Sequence, residues 1–240
     1  MAKITVILTS ARFGGKYMLD LISQADPEAE VLQEVLRKGS DNTNRVGKIT
    51  GLSVDEVVAL SREAPEQLWD RLATAAAQGD RAIYLRAYHY HQPNNAPLWD
   101  RVRDQARVVH LIRRNLFDAY CSREVAMKLG KWQVKRGQKL DSGGTIEIPR
   151  PALEEFITDR RKQINWARDH FAAGDYHEVF FEDIIRSPGN CLRALAGKID
   201  LPENPVPQHF LSKFDRMRPT SNADLVGNYL DVAVLDKEFF

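Results

Sequence analysis

Four short apolar runs constrain this chain more than anything else in it. Ile4-Thr-Val-Ile-Leu8, Ala82-Ile-Tyr-Leu85, Val108-Val-His-Leu-Ile112 and Glu178-Val-Phe-Phe181 are separated by segments whose apolar residues recur at helical spacing. A short β-branched run bounded by turn residues reads as a buried strand. Met18, Leu21, Ile22 and Ala25 mark a first helix. The capping box Ser53-Val-Asp-Glu56 opens another, and Pro65 starts a third with Leu68, Trp69, Leu72 and Ala76 on one face. A helix is expected from near Leu116 to about Leu129. Leu153, Phe156, Ile157, Ile164, Ala167 and Phe171 mark a long amphipathic helix that Gly174 ends, and Ser187-Pro188 cap one carrying Leu192, Leu195 and Ile199. Strands alternating with helices imply βαβ units, hence an α/β fold of three layers with a mostly parallel central sheet and helices on both faces. No repeat and no clear boundary divides the chain, so residues 1–240 read as one domain. In such sheets ligands bind beyond the carboxyl ends of the strands, which places the loops after Leu8, Leu85, Ile112 and Phe181 on one functional edge.

Composition narrows the partners. The formal net charge of the 240 residues is +1, so bulk electrostatics point to neither nucleic acid nor a membrane surface, and any anion site must be a local cluster. No run is long enough to span a bilayer. The two cysteines, Cys121 and Cys191, lack metal-ligand spacing and suit a reducing compartment. Ile4–Leu8 is too short for the apolar core of a signal peptide, so a cytoplasmic protein is expected.

The first loop is a candidate anion cradle. Ser10-Ala-Arg-Phe-Gly-Gly-Lys-Tyr17 lies between a strand and a helix N-terminus, where backbone amides and the helix dipole favour negative charge. It supplies two glycines, Gly14 and Gly15, and two cations, Arg12 and Lys16. It departs from the nucleotide triphosphatase pattern: Ser10 stands at the first Gly position, and Tyr17 stands where a Ser or Thr would ligate Mg²⁺. That disfavours a metal-dependent ATPase or kinase. The same residues also read as a tight turn with exposed basic side chains.

A second anion motif follows the third run. Arg113 and Arg114 sit at the carboxyl end of a buried strand, and Ser122 lies eight residues after Arg114 on the next helix. An arginine fork with a nearby hydroxyl suits a terminal phosphate, and two solvated arginines are the plainer alternative.

Together these motifs resemble the sulfotransferases that use 3′-phosphoadenosine 5′-phosphosulfate (PAPS). Arg12-Phe-Gly14 resembles that family's 5′-phosphosulfate loop, and Arg114…Ser122 its 3′-phosphate motif. The bacterial carbohydrate branch, of the nodulation-factor and trehalose sulfotransferase type, is the more similar. Tyr84-Leu-Arg-Ala-Tyr-His-Tyr-His-Gln92 resembles its central strand, where a Lys often stands at the position of Arg86. Phe180-Phe-Glu-Asp-Ile-Ile…Pro188 and Val226-Gly-Asn-Tyr-Leu230 resemble two later segments. The resemblance runs from about residue 4 to 230 and implies the P-loop-like sulfotransferase fold. It departs at Gly15 and Lys16, where the family usually has hydroxyl residues.

The resemblance implies in-line sulfuryl transfer from PAPS to a hydroxyl of a carbohydrate, lipid or small metabolite, with no metal required. Glu34 stands at the interval past the loop where that branch has its general base, with Glu28 and Glu30 as nearby competitors and a solvent-facing helix glutamate as the plainer reading. His89 and His91 are further base candidates, because histidine titrates near neutrality. Arg12 would stabilise the leaving group. Lys16 and the amides of Gly14 and Gly15 would hold the 5′-phosphate, with Tyr17 counted in the same loop. Arg114 and Ser122 would hold the 3′-phosphate, with Arg113 as second choice. Lys213, Arg216 and Arg218 would close over the nucleotide by analogy with the family's C-terminal donor-binding loop, or form a solvated basic turn. Trp132 and Trp166 could line a pocket or belong to the core, and Glu182 and Asp183 read as caps of the following helix. A non-catalytic nucleotide binder on this scaffold stays open, as does a homodimer.

Overall fold

The computed structural model describes residues 4–132, 144–202 and 221–237. Among these, five strands form one all-parallel sheet in the order β2-β3-β1-β4-β5. They are β1 (Ile4–Thr9), β2 (Glu30–Leu32), β3 (Ile83–Tyr88), β4 (Arg107–Ile112) and β5 (Asp175–Phe180). β1 is central and wholly buried, pairing β3 on one side and β4 on the other. The sheet therefore extends in opposite directions from β1, which makes its carboxyl end the crevice where such folds take ligands.

Helices cover both faces because successive side chains of a strand point to opposite sides. From β1, Ile4, Val6 and Leu8 enter a core with α2 (Thr43–Thr50), α3 (Val54–Glu63), α4 (Pro65–Gln78), α5 (Ala96–Gln105) and the end of α7 (Arg150–Phe171). Ile7 enters the opposite core with α1 (Gly15–Ala25), α8 (Phe181–Arg186) and α9 (Pro188–Ala196). A third cluster joins α6 (Leu116–Lys128) to α7, α10 (Asn222–Leu225) and α11 (Tyr229–Val232), and it buries Phe13 of the first loop. The chain ends its described part in a 3₁₀ turn over Ala233–Lys237.

The expected strands and helices are present, with particular differences. The capping box forms both of its bonds: Glu56 N–H donates to Ser53 Oγ, and Ser53 N–H donates to Glu56 Oε2. β3 runs to Tyr88, so it carries Arg86 to the functional edge. Phe181 belongs to α8 rather than to the preceding strand. Ser187 makes no side-chain cap; α9 simply starts on Pro188, whose missing N–H needs no partner there. Glu182 and Asp183 cap nothing and instead tie α8 to the end of β4, as described below. Trp166 is core, packing on Trp99 and Phe171, whereas Trp132 is exposed. Among the described residues no helix is long and apolar enough to cross a membrane.

Candidate functional site

The first loop is pinned from below. Phe13 is fully buried, and its N–H donates to Ser10 O at 3.2 Å, closing a turn. Arg12 consequently sits at φ 70°, a left-handed conformation that costs a non-glycine residue about 1–2 kcal/mol. Gly14 follows at φ 93° as the N-cap of α1, with its carbonyl taking Met18 N–H. A Cβ there would lie 2.2 Å from the Phe181 ring, so both the conformation and the space require glycine. At Gly15 a Cβ would lie 2.7 Å from Arg86 Cδ and 3.1 Å from Thr9 Cγ2. The side chain of Arg86 thus occupies the space that a hydroxyl residue at position 15 would need. The first amides of α1 have no intrahelical acceptor, as at any helix N-terminus, and this is the end of the helix that favours an anion.

One side of the loop is organised by Arg12. Its Nε and Nη2 donate to Ser122 Oγ at 3.0 and 2.8 Å, and its Nη1 donates to Trp132 O at 2.7 Å. Arg113 Nη1 donates to Arg12 O at 3.0 Å, its Nη2 pairs with Asp118 at 2.7 Å, and its guanidinium lies 5.1 Å from the Phe181 ring centroid. Burial, and then the neighbouring Arg113 charge, bring Arg12 down to about 10. The two motifs read separately from the sequence therefore meet, with Arg12 and Ser122 as the joint. Arg114 faces elsewhere. Its guanidinium makes two bonds to Asp183, at 3.1 and 3.0 Å, over the Phe180 ring, and Glu182 accepts the Arg114 and Asn115 N–H groups. The structure thus gives Ser122 to Arg12, and Arg114 to α8.

The other side of the loop holds a compact charge cluster at the ends of β2 and β3. Arg86 Nη2 meets Glu34 Oε1 at 2.5 Å, with only 2% of the arginine side chain and 14% of the glutamate exposed. His91 Nε2 stands 3.6 Å from Glu34 Oε2, and its Nδ1 accepts Tyr88 N–H at 3.2 Å. A neutral His91 therefore carries its proton on Nε2, facing Glu34. Arg37 Nε lies 3.9 Å from Glu34 on the solvent side. Burial by itself would raise Glu34, but the Nε2–H of His91 turned toward it and the Arg86 charge outweigh it and hold the carboxyl at about 2. Burial lowers His91 in turn, although Glu34 opposes this. Lys16, in the first turn of α1, has no hydrogen bond or ion pair among the described residues. Burial, then the Arg86 charge, lower its pKa.

His89 belongs to a different arrangement, a buried chain of hydrogen bonds. Ser10 Oγ is 3.0 Å from His89 Nδ1, His89 Nε2 is 3.0 Å from His110 Nε2, and His110 Nδ1 is 2.6 Å from Tyr176 Oη. Tyr176 O–H donates to Glu178 at 2.9 Å, and Glu178 is held ionised chiefly by Arg168. That last donation sets every proton. His110 must donate from Nδ1, His89 must donate from Nε2, and Ser10 must donate to His89. Burial keeps both imidazoles neutral, His110 at about 3 and His89 well below its usual value. Both nitrogens of His89 are thus engaged inside the protein, one with Ser10 and the other with His110.

The rings of Tyr17 and Phe181 stand nearly perpendicular, with centroids 6.4 Å apart. Lys213, Arg216 and Arg218 lie outside the described residues. The sequence motifs assign Arg86 no role beyond its place in the strand and single out neither His110 nor Gln163. The signal for His110 was present: a histidine inside an otherwise apolar central strand. Gln163, from the middle of α7, lies 3.3 Å from Ser10 Oγ and accepts Arg160 Nη1 at 2.5 Å.

No protein-family model matches the chain, and no curated protein matches it. Solved structures do. A sulfotransferase domain from the curacin biosynthetic pathway aligns with TM-score 0.52 at 15% identity, over 93% of this chain and 82% of its own. A sulfotransferase domain from the Synechococcus PCC 7002 olefin synthase aligns with TM-score 0.50 at 16% identity, over 98% and 86%. At such identities the likeness is one of fold. The all-parallel sheet flanked by helices is the fold of these sulfotransferase domains.

Proposed function

We propose that this protein is a sulfotransferase that moves a sulfuryl group from PAPS to a hydroxyl acceptor. The observation that carries the reading is the direct contact between Arg12 and Ser122. It joins the loop after β1 to the helix after β4 in one basic site at the carboxyl edge of the sheet. Packing against Phe181 and Arg86 requires glycine at both positions of this loop, which leaves Lys16 and Arg12 as its cationic side chains.

In this reading Lys16, the first amides of α1 and Arg12 bind the 5′-phosphosulfate end of the donor. Ser122 and Arg113 bind its 3′-phosphate, and Arg114 joins them only by leaving Asp183. Cations take the place of the hydroxyl donors usual at positions 15 and 16, because Arg86 crosses there. The acceptor oxygen forms its bond to sulfur as the bond from sulfur to the phosphate oxygen breaks. The proton of the acceptor passes to the Glu34 carboxylate, and Arg12 and Lys16 stabilise charge on the departing oxygen. His91 is a positioning residue, since its Nε2–H faces Glu34. Tyr90 is 40% exposed and Trp132 54%, which suits stacking against a sugar or another ring on the acceptor.

The tight ion pair on Glu34 favours a second reading, nucleotide binding without transfer. A thermal-shift titration with the product nucleotide PAP, set against ATP with Mg²⁺, tests the donor site. A ligand at a hundred times its dissociation constant stabilises by about 2.7 kcal/mol. Stabilisation by PAP and not by Mg-ATP supports the site, and a preference for Mg-ATP overturns it. A screen of hydroxyl acceptors with PAPS then separates transfer from binding alone.

A further inference from the structure

Arg86 serves Glu34 while lying directly against the loop, and this arrangement carries a consequence for binding. Its Cδ fills the space above Gly15, its Nη2 is on Glu34, and its Nε is buried with no hydrogen-bond partner. An unpartnered guanidinium N–H inside a protein costs free energy, so an anion that accepts from Nε is favoured there and draws the Arg86 charge away from the carboxylate on its Nη2. Lys16 stands beside it, also without a hydrogen bond or ion pair among the described residues. The remaining charged and titratable neighbours of this cluster are His91, Tyr88, Tyr90, Arg37, Asp41 and Arg12.

We propose that Glu34 and the anionic end of the donor compete for Arg86, so that an empty site locks Glu34 in an ion pair and an occupied site releases it as a base. This rests on the donor reading above and adds the coupling between donor and base. Two anions flanking one cation each reduce the other's hold on it. Binding linkage then requires the effect to be mutual: the donor raises the proton affinity of Glu34, and the Glu34 charge weakens the donor. The low pKa of Glu34 in the free protein fits this state, because a carboxyl held at about 2 is a poor proton acceptor at neutral pH. Ordered action follows, with the base competent only after the donor is in place. A free carboxylate beside an empty loop would have no such restraint.

The test is calorimetric titration of PAP into the wild type, Glu34→Gln, Arg86→Gln and Arg37→Gln, and into the two double variants that carry Glu34→Gln. Glu34→Gln keeps the shape and removes the charge, and it is expected to tighten PAP by about tenfold, within the usual range of coupling between sites. That gain should vanish in the Arg86→Gln background and persist in the Arg37→Gln background. A merely structural role for Glu34 would weaken PAP, or leave it unchanged. If Arg86→Gln does not fold, carboxyl NMR of Glu34 in the wild type gives the same answer, since PAP should raise its titration midpoint. PAP binding that Glu34→Gln leaves equal or weaker, or a midpoint that PAP does not move, overturns the competition alone. Absence of PAP binding by the wild type and by every variant overturns the donor reading, and this proposal with it.

Discussion

Gly15 and Arg86 occupy one space: a Cβ on the glycine would stand 2.7 Å from the arginine Cδ, and that arginine is anchored at its far end by Glu34. The departure of the first loop from a hydroxyl-bearing pattern is therefore tied to the residue on the neighbouring strand. Gly15→Ala is expected to destabilise the protein by about 1–3 kcal/mol through overpacking. The cost should fall sharply in an Arg86→Ala background, where Thr9 alone remains close. Denaturant unfolding of the four proteins of this cycle reads the coupling, and additive costs would show that the two side chains do not share that space.

Arg12 and Arg114 separate by partner. Arg12 is bonded to Ser122 and Trp132, whereas Arg114 is spent on Asp183, a pair with 30% and 44% of its side chains exposed. Arg12→Ala should weaken PAP by tenfold or more, in the usual range for hydrogen bonds to a charged group of about 1.5–3 kcal/mol. Arg114→Ala should cost less than Arg12→Ala, and at most about 1 kcal/mol in stability. A larger affinity loss from Arg114→Ala would mean that Arg114 leaves Asp183 for the nucleotide.

The buried histidines predict a dependence of stability on pH. His89 and His110 have folded pKa values depressed below the ordinary 6.5, His110 to about 3. The unfolded chain therefore binds more protons between about pH 3 and 6.5. The stabilisation from neutral imidazoles is present above 6.5 and is lost as pH falls below it, by about 1.4 kcal/mol per pH unit for His110, with His89 acting in the same direction. His110→Phe should flatten that slope by one proton between pH 5 and 6. It should also cost about 1–3 kcal/mol at pH 7.5, because His89 Nε2 and Tyr176 Oη lose a partner. Thermal melts across this range would check both, and an unchanged slope would place a charge on the pair in the folded state.

Glu34 predicts a split between binding and turnover. With an accepted hydroxyl substrate, Glu34→Gln should lower kcat by about 10²–10⁴-fold, the usual worth of a general base, while PAP still binds. Undiminished kcat would assign proton removal to another group. His91→Ala should lower kcat less, since His91 acts by holding Glu34.

What the sequence determined by itself is the part of this protein that depends on neighbours along the chain. The β1 run, the glycine loop and the α1 pattern are contiguous, and so is the capping box of Ser53 and Glu56, so each could be read locally. β2 escaped because its three residues, Glu30–Leu32, are too few for any period to show. The site is a different matter. Arg12 with Ser122, Arg86 with Glu34, Gly15 under Arg86 and His89 against His110 are contacts between separate strands, loops and helices. Spacing along the chain suggested that Ser122 would share a phosphate with Arg114, eight residues before it. Tertiary packing gave Arg114 a carboxylate on α8 and brought Arg12 to the hydroxyl instead. The physical reason is that a partly buried charged side chain takes whichever partner the fold sets within hydrogen-bond reach. That choice is made by sheet order and packing, to which a sequence period is blind.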